Sequence, residues 1–99
     1  MGKQFETPPG PNLLDEFMGQ VVVIDLDSPF VCMGTLQAID ALFFDIRDAD
    51  LHDLRDTRTS RENYVAASCA TGIKRNRKRV LVARSSIVAV SLFRDIVDE

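Results

Sequence analysis

The stretch FVCMGTLQAID, residues 30–40, reads as a β-strand that is interrupted at its centre by Gly34. A glycine inside a strand marks a sharp bend or bulge, the device that lets a small sheet curl into a barrel. Outward from it, the pattern stays β. VVVIDLD, residues 21–27, is rich in β-branched side chains and stops at Asp27-Ser28-Pro29, a turn signal. LFFDIRDA, residues 42–49, carries Leu42, Phe44 and Ile46 at period two and forms a third strand. RVLVAR (79–84) and IVAVSLF (87–93) read as a tight pair around Ser85-Ser86. The expected fold class is mainly β: a five-stranded, strongly bent open barrel preceded by a short helix.

That helix begins after a loose tail, residues 1–11, which contains Pro8, Pro9, Gly10 and Pro11. Asn12 is a suitable N-cap, Asp15 and Glu16 sit in the first turn, and Gly19 is placed to end the helix in a left-handed conformation. Between the third and fourth strands lies an insertion, about residues 50–79, too polar to be core. Thr59 stands three residues before Glu62, ENYVAASCAT is alanine-rich and Gly72 closes it, so a helix is expected from about Thr59 to Thr71. Tyr64, Val65, Ser68 and Cys69 share its covered face.

Ninety-nine residues, 45% hydrophobic and 27% charged, suit one globular domain over residues 12–99. No apolar run approaches the ~20 residues a membrane-spanning helix needs. The N-terminus lacks an apolar export region, so a soluble, cytoplasmic protein is expected. Cys32 and Cys69, far apart and among apolar or small residues, suit reduced, buried thiols rather than a disulfide. His52 between Asp50 and Asp53 is a poor metal site, because it is the sole histidine in a polar segment. A Cys69–His52 nucleophile pair lacks an orienting third group. Neither an enzyme nor a cofactor is expected.

Charge is distributed unevenly. Residues 1–56 carry eleven acids and three bases, residues 57–99 nine bases and four acids, and the net charge is −3. Five of the bases, Lys74, Arg75, Arg77, Lys78 and Arg79, fall within six positions that lead directly into the fourth strand. Two readings compete for them. They neutralise the acids Asp45, Asp48, Asp50, Asp53 and Asp56, within the chain or across a subunit contact, or they attract phosphates.

The segment MGTLQAIDALFFDIRDA, residues 33–49, resembles the first motif of Sm and Sm-like proteins, with Gly34, Leu36 and Asp40 at the family's spacing. VARSSIVAV, residues 82–90, resembles the second motif, in which a basic residue, here Arg84, precedes a tight turn. The likeness extends to the bacterial Sm-like RNA chaperones, covers residues 12–47 and 79–93, and leaves out the insertion. It implies an SH3-like open barrel that assembles into a ring of six or seven copies, the fourth strand of one pairing with the fifth of the next. The apolar final strands, aggregation-prone if left unpaired, agree with such a homo-oligomer. It also implies RNA binding by Asp40, Phe43 and Arg84, to which the charge of the basic run Lys74, Arg75, Arg77, Lys78 and Arg79, apart from the resemblance, is expected to contribute. Phe44 stands where the family carries Asn, and Ser85 where many relatives have Gly. A phenyl ring cannot read a base edge, so the expected binding is weak and not uridine-specific. The alternative is an Sm-fold assembly module that binds itself or a protein partner.

Overall fold

The computed structural model describes residues 12–97; the tail expected over residues 1–11 lies outside them. Among the described residues five strands form one antiparallel sheet: β1 (Val21–Leu26), β2 (Phe30–Ile39), β3 (Phe43–Asp53), β4 (Arg77–Ala83) and β5 (Ile87–Leu92). Across the sheet the order is β4-β3-β2-β1-β5, which leaves β4 and β5 as its two edges. One α-helix, α1 (Arg61–Thr71), lies in the connection from β3 to β4. Among the described residues no helix is long and apolar enough to cross a membrane.

Gly34 does what its position in the strand implies. The β2–β3 register shifts between Met33, opposite Asp50, and Thr35, opposite Arg47. On the facing strand Asp48 takes a positive φ of 49°, so β3 spends an extra residue there and bulges. A Cβ on residue 34 would lie 2.7 Å from Ile46 Cγ2 and 2.8 Å from the Arg47 carbonyl oxygen. Glycine is required because the strands come close, and its own φ is ordinary.

Both faces of the sheet are covered, which the unbroken apolar run in VVVIDL encodes. Val22, Ile24, Cys32, Leu36, Phe44 and Ile46 belong to one buried cluster. Their neighbours of opposite parity, Val23, Val31 and Met33, form a second cluster with Val65 of α1. The inserted helix is therefore the lid over the second face. Its N-cap is Ser60, whose hydroxyl accepts from the Asn63 amide at 3.1 Å, and not Thr59 as the capping-box spacing implied. The helix accordingly starts later than expected, although it ends at Thr71 before Gly72 (φ +98°).

Three other expectations are corrected. The first helix is a single 3-10 segment, Leu13–Phe17, because five residues between an extended Asn12 and an extended Met18 leave little room for α-helical bonding. Asn12 does cap it, accepting from Leu14, and Gly19 takes φ +75°. Cys69 is exposed, whereas Cys32 is fully buried and its thiol is pushed up to about 12, by desolvation first and then by the Asp50 charge. Finally, β4 and β5 do not pair. A 3-10 turn, Arg84–Ser86, turns the chain from one edge of the sheet to the other, where β5 joins β1. Ser-Ser lacks the positive-φ preference of the common two-residue hairpin turns, and that chemistry was the available clue.

Candidate nucleic-acid interface

The eight residues implied in RNA binding divide into two groups at opposite ends of β4. Asp40, Phe43 and Arg84 converge at its C-terminal end. Lys74, Arg75, Arg77, Lys78 and Arg79 lie at or before its N-terminal end. Five steps of strand from Arg79 to Arg84, at ~3.3 Å each, put the nearest cation of the run about 16 Å from the first group.

The first group is built by the β2–β3 turn. Asp40 Oδ1 accepts from the amides of Leu42 and Phe43 at 2.8 and 2.7 Å, and the Asp40 amide donates to the Phe43 carbonyl at 3.0 Å. Those two backbone hydrogen bonds, first Leu42 and then Phe43, hold its carboxyl below the usual range, with Arg84 adding to the effect. Arg84 reaches the same turn twice: its amide donates to Leu42 O and its Nη1 to Asp40 O, both at 2.8 Å. Its guanidinium carbon lies 5.9 Å from the centroid of the Phe44 ring.

Phe44 is core at 4% exposure, while Phe43 beside it is 36% exposed and Leu42 is 68% exposed. The corner thus presents an aromatic face, an apolar neighbour and a positioned guanidinium. Those are the groups that stacking on a base and attracting a phosphate require. Asp40 acts through the turn, since its Oδ1 is already engaged by two amides.

The basic run behaves differently along its length. Arg79 donates to Asp45 from Nε and Nη2 at 3.1 and 3.3 Å, sharing that carboxylate with Arg47, whose Nε donates at 3.0 Å. Asp45 is held below the usual carboxylate range by Arg47 first and then Arg79, both acting against desolvation. Among the described residues no acid pairs with Lys74, Arg75, Arg77 or Lys78. Neutralisation of the acid segment by the run therefore reduces to one arginine. Asp53 is served instead by its neighbour Arg55, with Nη2 at 2.7 Å, and Asp50 by neutral donors.

The residue within the run that matters most for structure is Asn76, which sequence reasoning missed. Its amide donates to Ala49 O at 2.8 Å, its Oδ1 accepts from Leu51 N at 3.0 Å, and its Nδ2 donates to Asp50 Oδ1 at 3.1 Å. Asp50, 1% exposed, also accepts from the Tyr64 hydroxyl, which links β3 to α1. His52 stacks on Tyr64 with ring centroids 3.8 Å apart and planes 6° from parallel. The only sequence signal for this network was an uncharged residue set among five cations.

Among the described residues no group of three or more His, Cys, Asp or Glu side chains is arranged to hold a metal. No protein-family model matches the chain, and no curated protein matches it.

Proposed function

We propose that this chain is a non-enzymatic, ring-forming Sm-like protein of the cytoplasm that binds single-stranded RNA weakly at the Asp40–Phe43–Arg84 corner. The observation that carries the reading is Arg84 anchored by its guanidinium to the Asp40 carbonyl, which brings the two resembling motifs into contact across forty-four residues. The strand order with β4 and β5 at the edges suits an Sm-like open barrel that joins its neighbours edge to edge. Phe43 supplies the stacking face, and the remaining guanidinium N–H groups of Arg84 supply the phosphate or base contact. Phe44, buried where a base-reading Asn is expected, removes edge recognition, so stacking without base identity follows.

The test is fluorescence anisotropy with labelled uridine-rich and adenine-rich oligonucleotides. Phe43→Ala and Arg84→Ala are each expected to weaken binding roughly tenfold, the scale of one lost base stack, for both sequences alike. Wild-type protein that binds neither oligonucleotide sinks the RNA reading. A second reading, an assembly module without RNA, is favoured by the net charge of −3, which a ring multiplies.

A further inference from the structure

The α1 lid covers only part of its face of the sheet. Val23 and Met33 lie in the cluster beneath it, but the next row of directly opposed residues on that face, Val21, Thr35, Arg47 and Arg79, does not belong to that cluster. Val21 is 37% exposed there. Further along the same face Asp45 stands opposite Leu81, and Phe43 opposite Ala83. The arginine row therefore shares its face with the stacking residue of the corner. Four steps of strand, at ~3.3 Å each, separate Phe43 from Arg47 by about 13 Å.

Arg47 and Arg79 stand directly opposite each other, and like charges in that position oppose strand pairing unless something holds them. Asp45, 8% exposed, does so. Each arginine donates to Oδ1 through Nε, at 3.0 and 3.1 Å, and to Oδ2 through Nη2, at 3.1 and 3.3 Å. One carboxylate thus fixes two planar guanidiniums by the same edge. Among the described residues no acceptor meets Nη1 of either, and the two side chains are 44% and 56% exposed. Paired, pre-oriented guanidinium forks are what a phosphate group takes best. Asp48, at the bulge, also acts on Arg47, so these two arginines and two aspartates cancel in charge. The surplus comes from Lys74, Arg75, Arg77 and Lys78, which no acid pairs among the described residues. The run supplies an attractive field, and the arginine pair supplies a fixed place.

We propose that Arg47 and Arg79 form a clamp for one backbone phosphate of single-stranded RNA, on the face that carries Phe43. The clamp rests on the RNA reading above and deepens it. It adds Arg47, to which neither the resemblance nor the basic run gave a role, and it separates Arg79 from the rest of the run. Phosphate contacts set the register of a strand without reading its bases, which agrees with a corner that stacks a base but lacks the Asn to identify it.

Fluorescence anisotropy of the full-length chain tests it, with a labelled uridine-rich oligonucleotide of about ten nucleotides over a salt series. Replacing both Arg47→Gln and Arg79→Gln is expected to weaken binding about tenfold and to make the log–log salt slope shallower by about 0.7, the share of one phosphate on a single strand. Arg47→Lys with Arg79→Lys keeps the slope and still loses affinity, because a lysine carries the charge without the fork. Arg55→Gln, which removes an exposed arginine tied to Asp53, leaves both quantities unchanged. Circular dichroism checks that each variant is folded. Independently of any variant, the Nε–H resonances of Arg47 and Arg79 in the wild type should shift as oligonucleotide is added. If Phe43→Ala weakens binding while the arginine variants and the Nε–H resonances do not respond, the clamp is overturned and the corner stands. An equal loss in Arg55→Gln, or full affinity in the lysine pair, reduces the effect to net charge and also overturns the clamp. A wild type that binds no oligonucleotide overturns the clamp together with the RNA reading.

Discussion

Gly34 shows how one missing side chain sets the path of two strands. The space a Cβ would need is occupied by the backbone of β3 as well as by Ile46, so a flexible side chain cannot simply move aside. Gly34→Ala should therefore destabilise the fold by about 1–3 kcal/mol, the usual range for overpacking, seen as a lower midpoint in urea unfolding. A variant as stable as the wild type would mean the strands separate there at little cost. This residue was legible in the sequence because its strand was otherwise continuous. Asp50 was not. It sits among four other aspartates in a polar segment, and nothing local separates the buried two, Asp45 and Asp50, from the rest, since the burial of Asp50 depends on Asn76 and Tyr64 arriving from elsewhere in the chain.

At the scale of elements, the Tyr64–Asp50 bond ties α1 to β3, and Tyr64 is the sole tyrosine. Burial first, then the hydrogen bond to Asp50 and its charge, raise the phenol above its ordinary 10.0. A raised folded-state value favours the protonated form, so this contribution to stability is complete below pH 10 and is lost as pH climbs through the folded value. Phenolate absorbance in the native protein should appear above the ordinary midpoint. Asp50→Asn should lower that midpoint without restoring the ordinary one, because burial remains. A native titration centred at 10 would show the phenol to be open to water. Strand existence was legible throughout, and so was α1, from alanine content and terminal glycine, although its cap is Ser60 and not Thr59. The partner of β5 was not legible, because adjacent apolar strands separated by a short turn look alike whether they pair or part.

Across the whole molecule the acids are unevenly committed. Asp40, Asp45 and Asp53 are all held below the ordinary 3.8, Asp53 to about 2, by backbone amides or arginines. Depressed carboxyls contribute stability that is present above their unfolded values and disappears as pH falls through the folded ones. Thermal unfolding should therefore hold its midpoint down to about pH 4 and fall progressively below it. Asp45→Asn should make that acid limb shallower, and an unchanged limb would remove Asp45 from the account. The candidate site was half legible: the motifs named Asp40, Phe43 and Arg84, and the run's place before the fourth strand set it at the far end from Arg84, but nothing in the run showed that Arg79 alone would be paired with Asp45. The pairing of Val22 with Leu92 also orders events in time. Neighbouring strands can find each other early, whereas the seam between the first strand and the last closes over the longest loop and is expected to form late. Until it does, β1 has one bare flank, and a half-finished chain is the form most exposed to capture by the wrong neighbour.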